Sequence, residues 1–219
     1  MADELIAIAR EKLFTAVLSD VLDAAGRRSQ AMHPGVRPLD DALVMVGRAR
    51  TGSYADVYHV EPGENPYELE IRLVDTLSPE EVVVLAAGAS GRIAPWGELL
   101  STACRARRAA GCVTDGLVRD IRAIRALRFP VFAGGIGPLD TKGRGKVVAI
   151  DVPVECGGVA VRSGDLVFGD ADGVVVIPRE IEGEILGAAL DKVSGEDRTR
   201  AALERGEKLA DVFARHGIL

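Results

Sequence analysis

CVTDGLVRDIRAIRALRFPVFAGG, residues 112–135, sets out the alternation on which the fold depends. "CVTD" reads as a short strand, "GLVRDIRAIRAL" as the helix after it, and "FPVFAGG" as the next strand. Upstream, "EVVVLAAG" (81–88) is a continuous apolar run of the kind buried on both faces. "GELLSTACRARRAAG" (97–111) reads as a helix begun and ended by glycine. Strand, helix, strand, helix, strand predicts parallel pairing through this region.

Working outward, residues 2–12 read as an amphipathic helix with Leu5, Ile6, Ala9 and Leu13 on one side. Residues 15–26 read as a second helix closed by Gly26. A polar loop carrying His33, Pro34, Gly35 and Pro38 leads to a strand in "ALVMVGRARTG". "NPYELEIRLVDTL" predicts a helix with Asn65 as N-cap, Pro66 in first position and an apolar stripe of Leu69, Leu73, Val74 and Leu77. After residue 145 the pattern changes. "KVVAIDVPV", "GVAV", "DLVFGD" and "GVVVIP" are short strands between Gly-rich turns, which predicts an antiparallel or mixed layer. From Pro178 the chain reads as helical, with Ile181, Ile185, Ala188 and Ala189 as the apolar face. The expectation is an α/β single domain over residues 1–219, with helices flanking two β layers.

Composition narrows the function classes. The chain has 219 residues, 47% hydrophobic and 27% charged, enough for a sizeable core, and only 4% aromatic. Its net charge of −6 argues against nucleic acid as a partner, since phosphate binding needs clustered Lys and Arg. Three cysteines (Cys104, Cys112, Cys156) and three histidines (His33, His59, His216) match no zinc spacing. Unpaired thiols and an acidic, amphipathic N-terminus with no leader pattern are expected of a cytoplasmic protein. No apolar run approaches the roughly 18 residues of a membrane span.

Three stretches could carry chemistry. In "VTDGLVRD", Arg119 and Asp120 fall near a helix start, where free N–H groups favour anions. The plain alternative is that Asp120 only complements the helix dipole, worth about 0.3–1 kcal/mol. In "WGELL" (96–100), Gly97 permits close backbone approach and the following N–H groups could cradle a carboxylate. Trp96 beside it either walls a pocket or packs. In "GDLVFGDADG", Asp165, Asp170 and Asp172 read as turn formers rather than a cation site. No G-x-x-x-x-G-K-[ST] or strand-linked G-x-G-x-x-G exists, so no nucleotide site is expected.

Taken in order, "SDVLDAAG", "VGRARTG", "WGELLSTACRARRAAGCVTDGLVRD", "FPVFAGG" and "VRSGDLVFGDADGVVVIP" resemble the RraA-like family. The likeness runs from about Thr15 to Pro178, with 96–120 its most specific part. That family includes class II 4-hydroxy-4-methyl-2-oxoglutarate aldolases, which also decarboxylate oxaloacetate, and regulators of a ribonuclease. The resemblance implies an α/β/β sandwich, a trimer or a hexamer of two trimers, a cleft between subunits and a divalent metal, Mg²⁺ or Mn²⁺. It implies Asp120 as the metal ligand, Arg119 on the pyruvyl oxygens of a 2-oxo acid, and the Gly97, Glu98, Leu99 and Leu100 backbone on the substrate carboxylate. Glu98 is expected to hold metal-bound water or assist proton transfer. Glu196, with Glu204 as an alternative, stands where the family sends an acid from a neighbouring subunit. The regulator branch departs at the metal-binding Asp, so retention of Arg119 and Asp120 favours the enzyme over a protein-binding regulator. A methyltransferase activity, a label sometimes attached to the family, lacks the glycine-rich loop it would need. No lysine falls in the site stretches, so a metal rather than a Schiff base is expected to take up enolate charge.

Overall fold

A computed structural model describes residues 2–88 and 90–217, the side chains of residues 2 and 3 excepted. The elements in chain order are α1 (Ala2–Lys12), α2 (Thr15–Ala24), β1 (Arg37–Pro38), β2 (Met45–Asp56), α3 (Glu68–Asp75), β3 (Glu81–Ala86), α4 (Glu98–Ala106) and β4 (Gly111–Val118). They continue with α5 (Ile121–Leu127), β5 (Val131–Ile136), β6 (Gly145–Ile150), β7 (Val154–Cys156), β8 (Val159–Val161), β9 (Leu166–Asp170), β10 (Gly173–Ile177), α6 (Glu182–Glu204) and α7 (Leu209–His216).

One eight-stranded sheet runs β1-β5-β4-β3-β2-β9-β10, with β6 also on β2. Strands β2 to β5 are parallel, as the alternation predicts, and β9, β10, β6 and β1 join antiparallel. The twelve-residue β2 links the halves: Met45–Arg48 pair with β9, while Arg48–Ser53 pair with β3. The sheet folds back over itself. Phe132 of β5 lies against Gly169 of β9, where a Cβ would come within 2.7 Å of the ring. These strands lie far apart along the sheet path, so the contact is face to face, and it makes two β layers. The β7–β8 hairpin adds Cys156, Val159 and Val161 to the core between them.

Strand β3 shows why its sequence is apolar throughout. Val82, Val84 and Ala86 face the inner core, whereas Val83 and Leu85 face α3, α4 and α5. A second helical layer, α1, α2 and α6, covers β9 and β10 through Leu18, Leu22, Phe168 and Leu186. Helices thus flank two β layers, as expected, and the N- and C-terminal helices add an outer layer to the α/β/β sandwich. Arg48 of β2 reaches both oxygens of Glu182, one at 2.8 Å, and ties the start of α6 to the sheet.

Several boundaries differ from expectation. Strand β4 does not end at Asp115 but continues to Val118 through an irregularity after Thr114. Asp115 is tolerated inside a buried strand because its carboxylate accepts the Ala87 N–H at 2.6 Å and the Gly157 N–H at 3.3 Å. Helix α3 begins at Glu68, not Pro66, because Asn65 folds a turn with its Oδ1 accepting the Tyr67 N–H at 3.1 Å. Helix α4 stops at Ala106, where Arg108 takes a left-handed conformation. The C-terminal helical stretch is interrupted after Glu204, and Gly206 adopts φ +82 there. On α6, Ile185, Leu186 and Ala189 are buried while Ala188 is exposed, so the inward face is turned by about one position. Asp165 and Asp170 are held by backbone N–H groups, and Asp170 binds both the amide and hydroxyl of Thr15. They are the turn formers anticipated. All three cysteines are buried and free, and burial pushes each thiol up. Among the described residues no helix is long and apolar enough to cross a membrane.

Candidate active site

The loop before α4 is laid along the C-terminal end of β4. Trp96 forms a parallel bridge with Val118, and its carbonyl accepts the Arg119 N–H at 3.0 Å. Trp96 is buried and donates through Nε1 to Ser101 Oγ at 2.8 Å, and that hydroxyl donates to the Gly97 carbonyl at 3.0 Å. The indole thus both packs and braces the loop. Sites in α/β sheets gather at these carboxyl ends of parallel strands.

Asp120 stands at the N-cap of α5 with φ 60 and ψ 31, a left-handed conformation that Asp tolerates better than most residues. Its carboxylate makes no capping hydrogen bond. It turns instead toward the loop, where Oδ2 accepts the Glu98 N–H at 3.3 Å and lies 3.8 Å from Arg119 Nε. No side-chain hydrogen bond caps α5, so what Asp120 offers that helix is its charge near the positive end of the dipole. Gly97 makes the approach possible: a Cβ there would be 2.9 Å from Asp120 Oδ2 and 3.3 Å from Arg119 Cγ. Its φ of −157 suits any residue, so the demand is for space alone.

Arg119 is bound on its other side by Asp140, from the loop between β5 and β6, at 3.3 Å. Tyr67 donates to Asp140 Oδ2 at 2.8 Å. Burial pushes Asp140 up, but the Tyr67 hydroxyl, the Thr141 and Lys142 backbone and Arg119 outweigh it and hold the carboxyl below its ordinary value. Burial, followed by the hydrogen bond and charge of Asp140, pushes Tyr67 up to about 12, so it remains a neutral donor. These groups, with Glu70 of α3, line a cleft of about 330 Å³. A larger groove of about 600 Å³ between α1 and α6 is lined by Lys12, Ser194, Asp197 and Arg200 among apolar side chains, away from the carboxyl ends of the parallel strands.

The cleft brings together Gly97, Glu98, Leu99, Leu100, Arg119 and Asp120 as the sequence suggested. The Leu99 side chain points outward, 78% exposed, which leaves its backbone as the available group. The N–H groups of Leu99 and Leu100 fall in the first turn of α4, where no intrahelical acceptor precedes them. Glu98 accepts from Thr102 Oγ1 at 2.7 Å along its own helix. Glu196 and Glu204 lie on α6, outside the cleft of their own chain. Tyr67, Asp140 and Glu70 were not singled out from sequence. Glu70 had a signal: positions 70, 73, 74 and 77 share one helix face, and three of them are apolar core residues.

Among the described residues no three His, Cys, Asp or Glu side chains cluster as a metal cage. The donor set nevertheless suits Mg²⁺, which takes hard oxygens, keeps several waters and often uses one or two carboxylates. Asp120 is 49% exposed at its side chain, and Oδ1 has no hydrogen-bond partner among the described residues.

Comparison with known proteins now places the chain. The family model RraA-like, described as Aldolase/RraA, matches residues 15–176. The chain belongs to the RraA-like family. A Halalkalibacterium halodurans relative named "Putative 4-hydroxy-4-methyl-2-oxoglutarate aldolase" is 35% identical over 189 residues, covering 86% of this chain and 84% of that one. A solved structure of an uncharacterized Pseudomonas syringae protein superposes with TM-score 0.84 at 26% identity, covering 97% and 98% of the two chains. Streptomyces coelicolor RraAS2, described as an unusual member of the RNase ES inhibitor RraA family, gives TM-score 0.80 at 28% identity, covering 90% and 96%. The RraA-like match contains every cleft residue named above, while Glu196 and Glu204 lie beyond it.

Proposed function

We propose that this RraA-like protein is a divalent-metal-dependent carbon–carbon lyase. It cleaves 4-hydroxy-4-methyl-2-oxoglutarate or a related 4-hydroxy-2-oxo acid to pyruvate, and it decarboxylates oxaloacetate. The observation that carries the reading is the Gly97 cradle, which presses Asp120, Arg119 and the first turn of α4 into one end of the cleft. The aldolase name borne by relatives supports the same class.

Both reactions leave an electron pair next to a carbonyl, as an enolate. Arg119 sets a guanidinium fork beside the forming oxyanion, and Asp140 with Tyr67 holds that fork in place. The Leu99 and Leu100 N–H groups receive the substrate carboxylate. Asp120 would hold Mg²⁺ or Mn²⁺, which when bound supplies Lewis-acid pull on the 2-oxo oxygen. Glu98 would orient water at that end. In a trimer or hexamer, Glu196 or Glu204 of an adjacent copy would complete the cleft.

Pyruvate release from either substrate is expected with Mg²⁺, to vanish in EDTA and to return with Mn²⁺. An equal rate in EDTA would contradict the metal-dependent assignment. Likeness to RraAS2 favours a second reading, inhibition of a ribonuclease by contact. It predicts co-purification with a ribonuclease and no pyruvate release.

A further inference from the structure

We infer that Glu70 is the proton donor of the cleft, supplying the proton that converts the pyruvate enolate to pyruvate; this rests on the lyase reading above. Position 70 belongs to the inward face of α3 beside Leu73 and Val74, yet it holds a carboxyl that is only 7% exposed. Burying a carboxylate without a counter-charge is costly, and among the described residues no cation forms a salt bridge with this one, since Arg119 pairs with Asp140. Its hydrogen bond comes from the Tyr54 hydroxyl of β2 onto Oε1. Oε2 has no partner among the described residues and is not sealed off, and the residue lines the same cleft as Arg119 and Asp120.

The surroundings shift the acid toward its neutral form. Burial is the main cause, and Asp140 from the β5–β6 loop adds to it. Tyr54 from β2 and Arg119 from the β4–α5 loop act in the opposite direction, and the balance leaves Glu70 at about 7. A donor balanced near working pH is what general acid catalysis requires. In the step, the Glu70 O–H bond breaks and its proton goes to C3 of the enolate. The C=C pair forms the new C–H bond, and the oxygen lone pair re-forms the carbonyl. The carboxylate left behind keeps the Tyr54 hydrogen bond and is reprotonated by water through the open cleft.

Exchange of pyruvate methyl protons in D2O, followed by proton NMR with Mg²⁺ present, isolates this step. Glu70→Gln should slow it about tenfold or more, less than the roughly 10²–10⁴-fold typical of a positioned acid or base because water reaches the cleft. Exchange begins with the reverse of that step, removal of a methyl proton by the Glu70 carboxylate, so the wild-type exchange rate should rise with pH through about 7 and then level off. A measurement that needs no turnover accompanies it: carbon-13 titration of glutamate carboxyls in the metal-free protein. One resonance, absent in Glu70→Gln, should titrate near 7 and move upward in Tyr54→Phe. Titration in the ordinary carboxylate range, or exchange in Glu70→Gln within threefold of wild type, overturns the inference. If wild type neither exchanges pyruvate nor releases CO2 from oxaloacetate, the lyase reading itself falls, whatever Glu70 does in the titration.

Discussion

Asp120→Asn should lower pyruvate release about 10³-fold while leaving the fold intact. The asparagine keeps the shape of the side chain and, like aspartate, tolerates the left-handed backbone at this position, φ 60. Alanine would add a conformational cost of its own, roughly 1–2 kcal/mol. What the amide removes is the formal charge on a group whose carboxylate faces the cleft rather than its helix. A bound cation contributes several kcal/mol of charge stabilisation in the transition state, and each 1.36 kcal/mol is tenfold in rate. Thermal unfolding should be unchanged, because Asp120 is half exposed and its one backbone partner, Glu98 N–H, can bond to an amide oxygen. Activity within tenfold of wild type at saturating Mg²⁺ would remove the assigned role.

Gly97→Ala should cost about 10²-fold in kcat/KM, although the residue contributes no side chain. The backbone at φ −157 accepts alanine without strain. The added methyl, however, would meet Asp120 Oδ2 at 2.9 Å and the Arg119 side chain at 3.3 and 3.4 Å. Both groups have room to move into the cleft, so the fold survives and the constellation opens. Misplacement of reacting groups by about 1 Å carries a penalty of this size. A drop in unfolding temperature with unaltered kinetics would mean that the glycine serves packing alone.

The strand and helix pattern was legible where the signal is local. "EVVVLAAG" is apolar at every position because Val82 and Val84 face one core and Val83 and Leu85 another. The strand–helix alternation of 81–136 reported its own parallel pairing. Asp115 misled because a carboxylate inside a strand usually marks its end, and the amides that satisfy it come from Ala87 and Gly157, 28 and 42 residues away. The pairing of β6 onto β2 and the folding of β9 over β5 are likewise long-range, with no periodicity to announce them. In the site, Arg119, Asp120 and the 97–100 loop were visible because a compact motif carries them. Asp140 and Tyr67 were not, since they meet across 73 residues of chain. Glu70 was hidden by an amphipathic pattern that prompted attention to leucines and valines rather than to the acid among them.

Crystals equilibrated with Mn²⁺ and pyruvate, measured for anomalous scattering, address the cation directly. One peak per chain is expected within coordination distance of the Asp120 carboxylate, with pyruvate density between it and Arg119. A map with no peak there, or with Asp120 paired to a protein group and pyruvate elsewhere, would contradict the assignment.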